Sequence, residues 1–286
     1  MWLGFIGVLI FSLTLPATRF AVEGFEPAWL AIARAVLAAI IGAAVLFITK
    51  QTRPQPHQLK SIAAIIGGVV IGFPFFTSVA MKTVDASHGA VVVGLLPMAT
   101  AIVSAAVNHE RLSRAFWACS AIGAAIVLAY ALSQGQGAIG WGDVCLLLAV
   151  VSAAVGYAYG GKLSQELGGW QTIAWALLYS LPFMIAPLIY LSWGFNFSAV
   201  QPSAWLGFLY VSLFSQFIGF FFWYGGMAKA GVGRVSQVQL LQLILTLIFS
   251  ALINQEQVTL LTWAVAVVIV ALVWFIKRLP VHAPKP

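Results

Sequence analysis

Charge is what this chain has least of. Only 7% of its 286 residues are Asp, Glu, Lys or Arg, against about a quarter in a soluble globular domain. So few charges cannot cover a water-facing surface, and a soluble domain is excluded. The acidic residues are Glu23, Glu26, Asp85, Glu110, Asp143, Glu166 and Glu256. Each lies in a connection or near the end of an apolar stretch, so none places an acid at the centre of a span for proton exchange. Glu110 and Glu256 are read as termination or gating residues on opposite faces. The two cysteines, Cys119 and Cys145, fall near opposite ends of their stretches, too far apart for a disulfide. The histidines, His57, His88, His109 and His282, pair with no other His or Cys at a ligand spacing. Asp85 and His88, three residues apart, make at most half of a metal site, so neither metal nor cofactor is expected. No convergent acid, base and nucleophile set is present, so an enzyme is not expected. Period-two alternation is absent, which excludes a β-barrel. The basic residues stand singly between apolar runs, so nucleic acid is not an expected partner.

What is present is apolar. Hydrophobic residues make up 62% of the chain, and the mean hydropathy is +1.01. Ten stretches are long enough to span a bilayer at about 20 residues each: 2–18, 27–49, 61–81, 88–107, 115–132, 141–160, 170–192, 203–228, 234–252 and 258–277. The expected class is an all-α polytopic membrane protein with lipid as its solvent. The longest polar connection runs from Lys50 to Lys60. The first stretch has neither a basic region before it nor an A-x-A site before Glu23, so it is expected to stay as a helix.

The chain also repeats itself. Residues 75–127 lie on 221–273 with a constant offset of 146 and no gap. The matches include Met81 with Met227, Thr100 with Thr246, Asn108 with Asn254, Glu110 with Glu256 and Trp117 with Trp263. Polar and Trp matches carry weight because those residues are rare here. A shorter echo places Trp29 and Ile32 on Trp170 and Ile173. The expectation is a first five-helix unit over 1–132, a linker over 133–140, a second unit over 141–280 and a tail over 281–286. With the N-terminus in the cytoplasm, the inner connections and tail carry Lys50, Arg53, Lys60, Arg111, Arg114, Lys162, Lys229, Arg234, Lys277, Arg278 and Lys285, and the outer ones only Arg19 and Lys82. This bias predicts N-in and C-in. Five spans per unit is odd, so the units enter from opposite sides as a 5+5 inverted repeat.

Local motifs point further. Pro27 and Arg34 stand in a P-x-x-x-x-x-x-R spacing. Leu95, Leu96 and Pro97 sit in the fourth stretch, which ends Asn108-x-Glu110. Leu241, Gln242 and Leu243 sit in the ninth, which ends Asn254-x-Glu256. Gly142 and Asp143 open the sixth. With ten spans in two units, these resemble the EamA family of the drug/metabolite transporter superfamily. Leu243 stands where that family often has Pro, and Asn where it has Gly before each Glu. The resemblance implies a secondary transporter in the bacterial cytoplasmic membrane, most often an exporter of amino acids or related metabolites. Its solute would sit in a central cavity between the units, and the protein would be a monomer or weak homodimer. An importer of a vitamin or nucleoside-like solute and a non-transporting accessory protein are the alternatives.

Candidate solute contacts follow from residues that do not belong in lipid. Arg34 is the one ionisable group well inside a span. A bare Arg there costs from about 3 to over 10 kcal/mol, so it snorkels toward the outer surface, pairs with helix-end carbonyls, or meets an anionic or zwitterionic solute. In the ninth stretch Gln239, Gln242, Thr246 and Ser250 lie at about 0°, −60°, −20° and +20° on a helical wheel, with Ser236 at about +60°. The fourth stretch matches Thr246 and Ser250 with Thr100 and Ser104 but has Val93 and Leu96 where the glutamines stand. That asymmetry favours a solute contact for Gln239 and Gln242. Gln216, Trp223, Tyr157, Phe73 and Phe76 would wall the cavity, and Trp175 is the other Trp away from span ends. His88 aligns with Arg234, a basic residue flanking the fourth and ninth spans at opposite faces, and joins the candidates.

Overall fold

A computed structural model describes residues 2–108, 111–135, 138–230, 235, 238–276, 278 and 281–282. His109, Glu110, Arg234, Ser236, Lys277 and Lys285 therefore lie outside the described residues, and with them the expectations for Glu110, the Arg234 match and the Ser236 end of the polar stripe. Among the described residues, eight helices are long and apolar enough to cross a membrane: α1 (Trp2–Gly24), α2 (Pro27–Ile48), α3 (Pro56–Ala80), α4 (Ala86–Val107), α5 (Arg114–Gln134), α6 (Trp141–Leu167), α7 (Gly169–Ser192) and α8 (Pro202–Lys229). Two shorter apolar helices follow, α9 (Leu240–Ile253) and α10 (Leu260–Ile276). A two-residue ladder pairs β1 (Arg111–Leu112) with β2 (Val281–His282). The chain is a polytopic helical membrane protein. Helices satisfy their own backbone groups, the condition for crossing hydrocarbon.

Several helices are broken, and the breaks have local causes. Proline lacks an N–H and clashes with the carbonyl four residues back. Pro16 faces Ser12 in this way, and α1 breaks at Leu13 between Ser12 and Thr14. Pro97 does the same to Val93, and α4 breaks at Gly94 and Leu95. In α3, residues Ile66–Gly72 form a π-helical stretch, and in α8 so do Tyr210–Ile218. The offset of 146 carries 66–72 onto 212–218, inside the second stretch.

Packing follows a regular scheme. α2 lies against α7, α1 against α8, α3 and α4 against α6, α9 against α1 and α4, and α5 against α10. Without a hydrophobic drive between helices in lipid, close approach needs small residues. The α2–α7 contact uses them: a Cβ on Gly42 would stand 3.5 Å from Ala174 Cα, and both residues are buried. The α3–α6 crossing is tighter. A Cβ on Gly68 would stand 2.5 Å from the Ser152 carbonyl oxygen and 2.7 Å from the Gly156 nitrogen. Backbone meets backbone there, and only glycine fits.

Candidate functional site

The centre of the bundle gathers polar groups from α1, α2, α3, α8 and α9. Arg34 is 1% exposed. It donates from Nη2 to Ser215 Oγ at 3.1 Å, and Ser215 Oγ lies 2.9 Å from Thr14 Oγ1. Thr14 starts the helix segment after the α1 break, and Ser215 belongs to the π stretch of α8. Arg34 Nε and Nη1 are buried with no protein partner, and no carboxylate of the described residues pairs with it. Its position is therefore not snorkelling to a surface.

Gln216, the next residue along α8, has a double role. In the π stretch of α3 the Phe73 amide bonds to Gly68 O, five residues back. Pro74 would bond next, to Val69 O, but has no N–H. Gln216 donates from Nε2 to that carbonyl at 3.1 Å, while its Oε1 stays buried and unpartnered. One amide end thus repairs the α3 backbone and the other faces the centre. Gln242 Oε1 is likewise buried without a partner.

These groups line one small cavity. Arg34, Phe73, Tyr157, Gln216 and Gln242 border it, with Phe11, Thr14, Ser215 and Phe220. Its volume is about 10 Å³, at the lower limit for one water, so the centre is closed around its own side chains. A second cavity of about 20 Å³ lies beside it, where the α4 break meets the start of α9. Gln239, Gln242 and Thr246 border this one, with Val93, Gly94 and Pro97. Gln242 belongs to both. Ser250 Oγ and, on α4, Thr100 Oγ1 are also buried without a partner. Broken helices meeting at mid-bundle are a common way to build a solute site in a membrane.

The aromatic wall stands behind the first cavity. Phe11 meets Phe220 edge-on at 5.0 Å and Trp223 at 6.3 Å. Tyr157 lies 5.7 Å from Trp223. Trp223 is buried one layer back, its Nε1 unpartnered. Phe76 is half-buried, edge-on to Phe75 at 5.5 Å, and borders neither central cavity. Trp175 stacks on Tyr179 at 5.7 Å.

His88 is elsewhere, at the end of the bundle where α4 begins. Its Nε2 lies 2.6 Å from Asp143 Oδ1 on α6. The Asp85–His88 doublet is split: Asp85 faces Arg19 at 3.8 Å. The described residues hold no cluster of three or more metal-ligating groups, and both cysteines are free. The same end carries three more polar bridges between residues before 132 and after 140. Glu256 accepts from the amides of Ala86 and Ser87, both at 2.8 Å. Asn254 Nδ2 donates to Pro16 O at 3.2 Å, and Tyr130 Oη lies 3.0 Å from Thr262 Oγ1. At the other end Glu166 accepts from Gln58 Nε2 at 3.2 Å and meets His57 at 3.5 Å.

Sequence reasoning gave no central role to Thr14 or Phe11. A hydroxyl inside an apolar span was a signal for the first. Nothing distinguished Phe11 from nineteen other phenylalanines.

The model of the EamA-like transporter family matches residues 1–132 and again 140–278. The chain is 44% identical over 270 residues to "Uncharacterized transporter YdeK" of Bacillus subtilis (strain 168), covering 94% of this chain and 93% of that one. It is 25% identical over 260 residues to "Uncharacterized transporter sll0355" of Synechocystis sp., covering 83% and 77%. A crystal structure of another protein superposes with a TM-score of 0.67 at 19% identity, over 96% of both chains, a likeness of fold.

Proposed function

The chain belongs to the EamA-like transporter family, and from that premise we propose that it carries a small zwitterionic metabolite, an amino acid or close relative, out of the cytoplasm by alternating access. The observation that carries this is Arg34: a buried cation with two free nitrogens, beside two free amide oxygens. A carboxylate on Arg34 would supply the missing counter-charge through the planar guanidinium. An ammonium group would take the oxygens of Gln216 and Gln242. Phe11, Phe220 and Tyr157 would hold an apolar or flat side chain. Buried polar groups are costly when unpaired, so a solute that pairs them gains what the closed centre lacks.

The architecture we propose is ten spans in two inverted units, 1–132 and 141–280, joined by 133–140. N- and C-termini are cytoplasmic, in a bacterial inner membrane. Support comes from the double match of the family model, the π stretches related by the sequence offset and the packing scheme, in which α1 on α8 mirrors α6 on α3. The polar bridges at both ends join one unit to the other, as gates would. Parting one set would open the centre to one side of the membrane.

Thermal stabilisation of the purified protein by a panel of amino acids, vitamins and nucleosides tests the solute class, with uptake of radiolabelled hits into proteoliposomes. An amino acid should stabilise the wild type and fail to stabilise Arg34→Gln. Stabilisation by uncharged solutes alone, or equal stabilisation of Arg34→Gln, overturns the reading.

A further inference from the structure

Asp143 is 7% and His88 8% exposed, a buried acid–base pair joining α4 to α6. Two acceptors do not approach to 2.6 Å without a proton between them, so Nε2 and Asp143 Oδ1 share one hydrogen bond. Asp143 Oδ2 accepts the Gly140 amide at 3.0 Å. The imidazole stacks on Tyr130 at 5.3 Å. A pocket of about 390 Å³ opens on the pair, bordered also by Thr83, Asp85 and Trp141.

We propose that His88 and Asp143 form a proton-operated latch that holds α4 on α6 at this end of the bundle, an inference that rests on the carrier function above. With imidazole neutral, the pair carries one negative charge. A proton from the pocket adds to Nδ1, giving imidazolium beside carboxylate and no net charge, and release returns it to water. The titratable and charged groups around the pair are Tyr130 from α5, Asp85 before α4, Arg19 from α1 acting on Asp85, and Glu256 before α10. Glu256 holds the first amides of α4. The deprotonated pair adds its negative charge to Asp85 and Glu256 at one end of the bundle and loosens α4 from α6. Uptake of the proton closes that end. In the proposed topology this is the outer end, so an acidic exterior would hold it closed.

The test needs no solute. Ala90 on α4 is buried and borders the second cavity. Ala90→Cys, with Cys119→Ser and Cys145→Ala, is purified as the full chain in detergent and labelled with a maleimide. Rates are normalised to Thr52→Cys in the same background, whose site is exposed and lies at the opposite end of the bundle. Normalised labelling should rise by about tenfold from about pH 5 to 8, and His88→Gln or Asp143→Asn should abolish the rise. A flat profile, or an undiminished rise in both variants, overturns the proposal. Should those variants fail to fold, His57→Gln, His109→Gln and His282→Gln together leave His88 as the sole histidine. In that background the rise in labelling should persist; its loss overturns the proposal. Failure here leaves the Arg34 reading standing, since neither readout involves a solute.

Discussion

Replacing Arg34 with methionine should make the solute-free protein more stable. Arg34 has one protein hydrogen bond, to Ser215 Oγ at 3.1 Å, and two buried nitrogens with none. Losing a charged donor's bond costs about 1.5–3 kcal/mol, but Ser215 keeps Thr14 at 2.9 Å. Against this stands the removal of a desolvated cation that has no carboxylate beside it among the described residues. Exchanging buried ionic groups for apolar residues of similar volume often stabilises by about 1–4 kcal/mol. A net gain of about 1–2 kcal/mol is expected for Arg34→Met, since its unbranched chain fills the same channel. At about 2–4 °C per kcal/mol for chains approaching this length, Tm should rise by about 2–8 °C. The assay is thermal unfolding in detergent followed by tryptophan fluorescence, with and without amino acids. The wild type should gain about 2.7 kcal/mol at a hundredfold excess over Kd, and Arg34→Met nothing. A methionine variant that unfolds several degrees below the wild type would refute the reasoning, because it would mean that Arg34 is compensated within the protein.

Other expectations concern packing, solute contacts and topology. Gly68→Ala should cost at least about 1–3 kcal/mol as overpacking, because its Cβ would strike backbone atoms at 2.5 and 2.7 Å, whereas Gly67→Ala, with nothing within 4 Å, should be near neutral; equal yields of folded protein from both would contradict the crossing. Gln242→Leu should weaken binding of a stabilising amino acid by about tenfold, the 1.4 kcal/mol of one hydrogen bond, with Tm unchanged or raised, and calorimetric titration showing wild-type affinity would remove Gln242 from the site. Glu256→Gln should lower stability by about 1 kcal/mol through the weakened cap on Ala86 and Ser87, read from the thermal midpoint at low salt. A cysteine at Gln55→Cys should resist an impermeant reagent in intact cells and react in inverted vesicles; the reverse pattern would defeat the N-in topology.

Length and hydropathy alone determined that the chain crosses a membrane, because hydrocarbon thickness sets span length and charge is too scarce for any other solvent. The offset of 146 was legible for a similar reason: rare polar residues in an apolar background mark register. Arg34 stood out because an embedded cation always needs an explanation in lipid. Helical period placed Gln239, Gln242, Thr246 and Ser250 on one face, since 100° per residue is a local property. Which face meets which neighbour is not local. These helices are apolar all round, and lipid rewards no face over another, so hydropathy does not mark the buried side. That Ser215 would bond Arg34, that Gln216 would fill the carbonyl left by Pro74, and that His88 would find Asp143 rather than Asp85 depended on how helices cross. Those crossings are set by backbone contact at small residues such as Gly68 and Gly156, and by the helix breaks that Pro16 and Pro97 impose. The sequence thus named the polar groups that lipid cannot hold, and only the tertiary structure decided which of them leave an atom free at the centre, because a hydrogen bond between helices needs both partners at one height on facing sides.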